Sequence, residues 1–298
     1  MMPAIDLIDR NECPVCSQPE AQELYRASFG QPALSSFLQQ FYKNRYDHSL
    51  SNRDYILDQC QRCSLIFQRG VLNDPGMMML YDHWIDNEAS LRKKQSAKPK
   101  TTRQYARVID AIGRYFPRSP GTVRVLDFGM GWGYWAHMAQ SHGYDVTGLE
   151  YSENRLAHAR SIGVNAVKHL STGEQMFDFV LANQVLEHVP DPRQTLQTIA
   201  AHLAHGGIAH IRVPDGRGVA KKIRAHGWSG EIEPVHPLEH INCFTRPSLI
   251  RLARNCGLKP ISPPLQVSMD RLWSSLKREW VDRFVTTHVF VQKRQPSV

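Results

Sequence analysis

The chain has 298 residues, of which 42% are hydrophobic, enough for one large domain with a proper core and a smaller second one. No apolar run approaches the length of a membrane span, and the segment from Met1 to Glu12 lacks the charged-then-apolar pattern of a signal peptide. These features exclude a membrane protein, so we expect a cytoplasmic protein with no membrane partner. The net charge of +8 is compatible with a nucleic acid, an anionic substrate or solubility alone.

Six cysteines in a cytoplasmic chain indicate metal binding or packing rather than disulfides. Four of them form two identical C-x-x-C knuckles, at Cys13 with Cys16 and at Cys60 with Cys63. Because Zn²⁺ takes four soft ligands in a tetrahedron, these cysteines are predicted to hold one structural zinc ion. The intervening residues exceed the usual separation in a compact zinc ribbon, so we expect them to fold as an insertion between the knuckles. A redox dithiol is the alternative.

Three consecutive parts are predicted: a zinc-binding module over residues 1–70, a helical linker over 71–118 and an α/β domain over 119–298. The linker contains a run of basic residues without an acid, from Arg92 to Arg103, which favours a solvated helix face. Strands and helices alternate in the third part, which is the pattern of a doubly wound parallel sheet.

Three helices late in the chain are predicted from their caps and apolar periodicity. The first is capped by Asp191, and its apolar stripe extends to Leu203. The second starts at Thr245 and ends at Gly257. The third is amphipathic, contains Trp273 and precedes a final strand.

A glycine-rich turn follows the first apolar strand of the α/β domain. Its glycines are Gly129, Gly131 and Gly133, and Asp127 precedes the first of them by two residues. A dinucleotide fingerprint requires a small third residue so that the helix packs close to the strand, but Tyr134 occupies that position. The pattern therefore favours a ligand with an amino group and no diphosphate. S-adenosylmethionine fits that description.

The segment Asp127-x-Gly129-x-Gly131-x-Gly133 resembles the first motif of class I S-adenosylmethionine-dependent methyltransferases. Three later segments are also similar to segments of that family, namely Phe177–Asn183 with the turn to Pro192, Gly206–Pro214, and Pro237–Phe244. The resemblance covers about residues 120–260. It implies a Rossmann-like sheet of seven strands whose last strand is antiparallel, and an enzyme that uses S-adenosylmethionine as cofactor.

The resemblance also assigns roles in cofactor binding. Glu150, at the end of the second strand, would accept hydrogen bonds from the ribose hydroxyls, and Asp127 would orient the methionine end. Asn183 and Gln184, at the carboxyl end of the fourth strand, would line the methionyl side. No acid follows the third strand, so the adenine contact is left unassigned. Capping of neighbouring loops is the alternative role for Asp127 and Glu150.

Methyl transfer from a sulfonium is an in-line displacement, and it needs a base when the acceptor is a hydroxyl or a carbon acid. His240 beside Glu239 follows the fifth strand, and His188 follows the fourth, so these residues are the candidates for catalysis. Packing or helix capping is the alternative role of each histidine. The zinc knuckles and the Glu239-His240 pair resemble deoxysugar C-methyltransferases, in which such a pair is thought to deprotonate the carbon next to a keto group.

The segment from Val185 to His188 also resembles quinone-pathway O-methyltransferases, some of which bind a divalent metal through an additional acid. Gln184 occupies the corresponding position here, so we predict no catalytic metal.

The predicted function is methyl transfer to a small-molecule acceptor, namely a sugar, a nucleotide-sugar or a secondary metabolite. Basic residues after the fifth strand would contact an anionic group on it: Lys221, Lys222, Arg224 and His226. An RNA methyltransferase is the first alternative, gripping phosphates through the zinc module and the basic linker. Against it, the fourth-strand loop lacks the Asn-Pro-Pro-aromatic type of box used in methylation of base amino groups. A non-catalytic assembly protein that retains the cofactor fold is the second alternative.

Overall fold

The computed structural model describes residues 4–96, 99–171, 176–262 and 287–294. In chain order its strands are β1 (Leu7–Asp9), β2 (Ala21–Ser28), β3 (Asp54–Cys60), β4 (Ile66–Gln68), β5 (Gly70–Leu72), β6 (Arg124–Phe128), β7 (Asp145–Leu149), β8 (Asn165–Val167), β9 (Phe177–Asn183), β10 (Leu203–Arg212), β11 (Asn242–Cys243), β12 (Leu258–Ile261) and β13 (His288–Lys293). Its α-helices are α1 (Pro32–Phe41), α2 (Asp74–Met79), α3 (Asn87–Gln95), α4 (Pro99–Tyr115), α5 (Tyr134–Ser141), α6 (Glu153–Ser161), α7 (Pro192–His202), α8 (Val219–His226) and α9 (Arg246–Asn255). A π-helical turn spans Leu80–Trp84, and 3₁₀ turns span Pro120–Thr122 and Glu233–Val235.

The chain divides into two compact units. The first, called here the knuckle unit, contains Met1–Ala89, Leu186–Thr195 and Pro214–Leu252. The second, called the sheet unit, contains Ser90–Val185, Leu196–Val213 and Ala253–Val298. Across the ranges that the structure describes, no helix combines the length and the apolarity needed to cross a membrane.

The sheet unit contains a seven-stranded sheet in the order β12-β13-β10-β9-β6-β7-β8. The five strands from β10 to β8 pair in parallel, whereas β13 pairs antiparallel with both β10 and β12. Parallel strands are covered on both faces, which explains why β6 and β9 are nearly continuous apolar runs. The predicted seven-stranded α/β sheet with an antiparallel last strand is confirmed.

The predicted cap of α7 is present, because the Gln194 amide donates to the Asp191 carboxylate at 2.9 Å. The end of this helix differs from the prediction. Leu203 does not continue the helix but pairs with Phe177 as the first residue of β10. A bulge between Leu203 and Ile208 then absorbs the glycine pair that the sequence placed before the strand. Leu203 is fully buried in the strand, and burial suits a leucine in a helix equally well, so its hydrophobicity could not distinguish a helix from a strand.

The knuckle unit contains an antiparallel sheet in the order β11-β4-β3-β2 and a separate pair of strands, β1 with β5. The residues between the two knuckles form β2, α1 and β3, so they fold as the expected insertion. An aromatic core fills this unit, in which Phe29, Tyr55 and Trp84 are fully buried. The sheet takes one strand, β11, from far along the chain. The boundaries at residues 70 and 118 stay a prediction, and the amphipathic helix around Trp273 lies outside the described residues.

Candidate functional site

The glycine turn lies between β6 and α5 in the sheet unit. Gly129, Gly131 and Gly133 all have left-handed backbone, with φ of +69°, +59° and +79°. Only glycine adopts this conformation without a steric cost, so three left-handed residues within five positions explain the pattern. A Cβ at Gly133 would lie 2.8 Å from Ala159 Cβ, whereas a Cβ at Gly131 would meet no described atom within 4 Å. The missing side chain at Gly133 therefore lets the turn pack against α6, which carries Ala159. The missing side chain at Gly131 leaves open space for a ligand, and we call this space the Gly131 cradle.

Glu150 follows β7 and stabilises the glycine turn directly. Its Oε2 accepts a hydrogen bond from the Gly131 amide at 2.9 Å, and its Oε1 accepts from the amides of Tyr151 and Ser152 at 3.0 Å each. This is the loop-capping role that the sequence allowed as an alternative. An ionised carboxylate has about four acceptor positions, so ribose binding by the same group stays a prediction.

Asp127 lies inside β6, beside the start of the turn, and is only 4% exposed. Burial, followed by the negative charge of Glu150, raises the pKa of Asp127 to about 8, although an amide hydrogen bond from Ala136 and the charge of Lys94 act in the opposite direction. The carboxyl is therefore largely protonated at neutral pH. A ligand ammonium group nearby would favour the ionised form.

Asn183 is the last residue of β9 and lies at the same edge of the sheet as Asp127. Gln184 is the first residue after this strand. The Oδ1 atom of Asn183 is buried and has no hydrogen-bond partner within the described part of the chain. Such an atom costs about 1–3 kcal/mol unless a donor reaches it. Gln184 has a left-handed backbone with φ of +59°, and its amide donates to the Arg212 carbonyl at 2.8 Å. The unpaired acceptor and the Gly131 cradle fit a cofactor that carries amino and hydroxyl donors.

Lys94 is a contributor to this edge that the sequence analysis missed. It lies on α3 in the basic stretch that was predicted to be solvated, and it is exposed there as predicted, since α3 has no buried residue. Partial desolvation, followed by the charges of Lys93 and Arg155, lowers the pKa of Lys94, whereas the charge of Asp127 raises it. No periodicity in the stretch distinguishes Lys94 from its neighbours, so only the folded chain identifies it.

The four knuckle cysteines meet in the knuckle unit. The Sγ atoms of Cys13 and Cys63 are 3.5 Å apart, as are those of Cys16 and Cys60, and all four lie within 4.8 Å of one another. Tetrahedral Zn²⁺ with bonds of about 2.3 Å places its sulfur ligands about 3.8 Å apart, so the spacing fits. A hydrogen bond from the Cys63 thiol lowers the pKa of Cys13, which favours the thiolate that a metal binds.

The knuckle unit also brings together two of the three candidates for catalysis. A carboxylate oxygen of Glu187 and ring nitrogens of His188 and His240 lie within 4.8 Å of one another, and the two rings are 4.9 Å apart. We call these three residues the Glu-His cluster. Glu239 is not part of it. Its carboxylate faces the Tyr42 hydroxyl, whose pKa is raised by burial and by that charge.

Glu187 directly precedes His188 in the chain and was not among the candidates for catalysis, yet it is the most buried member of the cluster. Its side chain is fully buried, and neither carboxylate oxygen has a hydrogen-bond partner among the residues that the structure describes. Burial, with a smaller contribution from Glu233, raises the pKa of Glu187 to about 8. An acid directly after the apolar pair Val185-Leu186, four residues past the end of β9, was the signal that could have identified it.

His240 is oriented by the 3₁₀ turn that precedes it. Its Nδ1 lies 2.6 Å from the Glu233 carbonyl. Because a carbonyl only accepts, Nδ1 carries the proton and Nε2 keeps the lone pair in the neutral ring. Burial lowers the pKa of His240, so the ring is neutral at pH 7 and can accept a proton. His236 stacks on it with ring centroids 5.7 Å apart.

A family model described as a methyltransferase domain matches residues 100–262, more than half of the chain. The chain belongs to this methyltransferase family. The ubiquinone biosynthesis O-methyltransferase of Bordetella avium (strain 197N) is 35% identical over 153 residues, covering 46% of this chain and 62% of that protein. The protein of the same name from Caulobacter sp. (strain K31) is 35% identical over 97 residues, covering 29% and 38%. The methyltransferase chain thus spans less than two thirds of the length of these relatives.

Solved structures share the fold. A plantazolicin methyltransferase in complex with a triazolic desmethylPZN analog and SAH has a TM-score of 0.51 at 16% identity, covering 73% of this chain and 94% of its own. Another, in complex with a pentazolic analog and SAH, has a TM-score of 0.50 at the same identity and coverage. At this identity the likeness establishes the methyltransferase fold alone.

Two glycine substitutions should separate ligand binding from packing. Gly131→Ala and Gly133→Ala both place a side chain on left-handed backbone, at a shared cost of about 1–2 kcal/mol. Gly131→Ala should also raise the Kd for S-adenosylmethionine by about tenfold or more, because its Cβ projects into the ligand cradle. Gly133→Ala should lower Tm further, because of the contact with Ala159. Calorimetry and thermal unfolding test both, and unchanged affinity in Gly131→Ala would contradict the cradle assignment.

Cofactor binding should release a proton from Asp127. Since its pKa is about 8, the ligand ammonium ionises a group that is largely protonated at pH 7. Titration calorimetry with S-adenosylmethionine in phosphate and in Tris should therefore give enthalpies that differ with the ionisation enthalpy of the buffer. Asp127→Asn should abolish the difference, whereas Asp178→Asn, at the other end of the sheet beside Arg118, should preserve it. Equal enthalpies for the unaltered protein would rule out this role.

Loss of metal should follow the loss of two knuckle ligands. The purified chain should contain about one zinc ion, and combined Cys13→Ser and Cys60→Ser should release it and lower Tm, because two of four ligands are gone. Cys256→Ser should change neither, since Cys256 is not in the four-cysteine group. Elemental analysis gives the readout, and full zinc content in the double variant would refute the site.

Proposed function

We propose that the chain transfers the methyl group of S-adenosylmethionine to a small-molecule acceptor. The main support is the left-handed glycine turn with Asp127, Glu150 and the unpaired Asn183 acceptor at one edge of a methyltransferase sheet. Family membership supports the same reaction. The relatives named for ubiquinone biosynthesis favour an acceptor with a hydroxyl group, and a sugar, nucleotide-sugar or secondary metabolite remains within this proposal.

The chemistry divides between the cofactor and the chain. S-adenosylmethionine supplies an electrophilic methyl group on a sulfonium. For a hydroxyl acceptor, the oxygen would take this methyl group, and the sulfur of a cofactor held at Asp127, Glu150 and Asn183 would keep the electron pair of the broken carbon–sulfur bond. The acceptor proton is transferred to Nε2 of His240, which holds the lone pair while Nδ1 donates to the Glu233 carbonyl.

Glu187 and His188 adjust the proton affinity of that site. A protonated His240 is a positive charge beside a neutral Glu187, and an adjacent positive charge lowers the pKa of a carboxyl. The cluster therefore gains one positive charge when His240 takes the proton, and departure of the Glu187 proton to solvent would return it to neutrality as an imidazolium–carboxylate pair. Glu239, which the sequence paired with His240, acts in this proposal through the Tyr42 hydroxyl that it faces.

The knuckles bind one structural zinc ion in this proposal, and the chain resides in the cytoplasm. None of the six cysteines, all of which lie in the described ranges, is in a disulfide, which supports a reducing compartment. Lys221 and Lys222 on α8 remain candidates for contacting an anionic acceptor, whereas the guanidinium of Arg224 donates to the Gln59 side chain.

The test is calorimetric titration with S-adenosylmethionine and, separately, with NAD, followed by transfer of radiolabelled methyl groups to quinols, nucleotide-sugars and RNA. Micromolar binding of S-adenosylmethionine alone and labelling of a small molecule are expected. Labelling of RNA, with binding that weakens steeply with salt, would favour the nucleic-acid alternative. Binding without turnover on any acceptor would favour an assembly protein.

Substitution of His240 should separate cofactor binding from turnover. His240→Gln should leave the Kd for S-adenosylmethionine unchanged and lower kcat by about 10²–10⁴-fold, the usual contribution of a general base. Because burial holds the His240 pKa below that of an exposed histidine, turnover by the unaltered protein should persist at pH 7 and fall as the pH drops through that pKa. His142→Gln, at an exposed helix end, is the matched control. A large loss of cofactor affinity in His240→Gln would refute the assignment.

A further inference from the structure

Arg10 connects distant parts of the knuckle unit. Its guanidinium makes five hydrogen bonds. Nε and Nη2 both donate to the Gln68 carbonyl at 3.1 and 2.5 Å, and Nη2 also donates to the Ile241 carbonyl at 2.9 Å. Nη1 donates to Asn242 Oδ1 at 2.7 Å and to the Pro190 carbonyl at 3.2 Å. The group also lies over the Phe67 ring, 5.3 Å from its centroid.

These partners flank the Glu-His cluster on both of its chain segments. Ile241 and Asn242 directly follow His240, and Pro190 is two residues after His188. The Asn242 side chain connects Arg10 to the residues around Glu187 and His188, because its Nδ2 donates to the carbonyls of Leu186 at 2.9 Å and Val189 at 2.8 Å.

The two segments also contact each other at the cluster itself. The amides of Ile241 and Asn242 donate to the Glu187 carbonyl at 2.9 and 3.2 Å. These two hydrogen bonds and the two from the Asn242 side chain therefore all involve Ile241 or Asn242, which Arg10 also contacts.

We propose that Arg10 is a positioning residue for the Glu-His cluster, holding the segments that carry His188 and His240 in register so that the His240 ring keeps its orientation. The inference rests on the proposed function, because it assigns a role in the geometry of the candidate base. The five hydrogen bonds of its guanidinium go to Gln68, Pro190, Ile241 and Asn242, so its role is to position the cluster through these neighbours.

An arginine is the residue that this role requires. Its planar fork offers five donors in fixed directions, whereas a lysine ammonium is a point charge on a flexible stem. Burial lowers the pKa of Arg10 to about 10, so the group remains charged at neutral pH. Its charge-assisted hydrogen bonds to carbonyls are each stronger than neutral ones.

The position of Arg10 links the cluster to the zinc knuckles. Arg10 precedes Cys13 by three residues, and β4, which supplies Gln68, begins three residues after Cys63. The Gln68 side chain in turn accepts from the Leu238 amide at 3.0 Å, two residues before His240. Chain segments next to both knuckles thus form hydrogen bonds with the segments that carry His188 and His240. This gives the knuckles a role in the geometry of the cluster.

The experiment compares Arg10→Met with Arg53→Met in the zinc-loaded full-length protein. Arg53 is a matched control, because it lies in the same unit and donates to the Leu7 carbonyl but to neither catalytic segment. Zinc content and affinity for S-adenosylmethionine establish that each variant is folded. The readouts are the ring pKa values of His188 and His240 from NMR, assigned with the His188→Gln and His240→Gln variants, and kcat with an identified acceptor.

Arg10→Met is expected to keep its zinc and cofactor affinity while the His240 pKa rises towards that of an exposed histidine, because the ring loses its fixed, buried orientation. With an acceptor, kcat should fall by about 10²-fold at unchanged KM for S-adenosylmethionine, the effect of misplacing a reacting group by about 1 Å. Arg53→Met should match the unaltered protein in every readout.

Arg10→Lys keeps the positive charge but removes the planar guanidinium, so it tests which of the two is needed. It also replaces Arg10→Met in the experiment if that variant does not fold. It should shift the His240 pKa in the same direction, since one ammonium cannot bridge four backbone and side-chain partners. The proposal would be overturned if Arg10→Lys had the same His240 pKa and kcat as the unaltered protein. It would also be overturned if the ring pKa values of both Arg10 variants equalled those of Arg53→Met. The ring titrations need no acceptor, so a failure of the proposed methyl transfer would be seen separately, as absent turnover in the unaltered protein.

Discussion

Parallel pairing of β6 with β7 on one side and β9 on the other is the constraint on which the sheet unit depends. Strands that run in one direction end at one edge of the sheet, and a doubly wound fold opens a crevice where neighbouring strands continue to opposite faces. Asp127, the glycine turn, Glu150 and Asn183 lie at this edge because each ends or follows one of these three strands. A register slip of one residue would turn Asp127 to the other face of the sheet.

Burial governs the charges of both units. Asp127 in the sheet unit and Glu187 in the knuckle unit each have a pKa near 8, and in both cases burial is the largest cause. His240 changes in the opposite direction for the same reason, because burial disfavours the charged form of any group. The unliganded protein at neutral pH therefore contains neutral acids and a neutral imidazole. A cationic ligand or a transferred proton changes that distribution, which couples binding and proton transfer to the ionisation of these residues.

Features that depend only on residues close together in the chain could be predicted from the sequence. The Asp191 cap, the apolar strands β6 and β9 and the glycine turn each depend on residues within about ten positions, and the structure has all of them. The four cysteines were also predictable, since paired C-x-x-C spacing reflects the demands of tetrahedral zinc. Leu203 shows the limit of such patterns, because a buried leucine suits a helix and a strand equally well.

Contacts between distant segments were not predictable. Glu187 and His240 are more than fifty residues apart, and nothing in either local sequence indicates that the two side chains meet. The same holds for Lys94 near Asp127 and for Arg10 beside Asn242. Glu239 is adjacent to His240 in the chain, yet its carboxylate faces the Tyr42 hydroxyl, so a shared role of the two residues in catalysis stays a prediction. The sequence singled out His188 and His240 as candidates but not Glu187, the acid that lies beside them.

The short strand β11 has a consequence for the order of folding. It pairs with β4 through Asn242 opposite Phe67 and Cys243 opposite Ile66, so the sheet of the knuckle unit is completed by residues synthesised long after its other three strands. During translation β4 is an edge strand, and its three residues are all buried in the finished fold. An exposed apolar edge invites pairing with another chain. A nascent chain of this protein therefore has an interval of aggregation risk that ends only when residues 242–243 leave the ribosome, and a fragment that stops before them would keep that risk permanently.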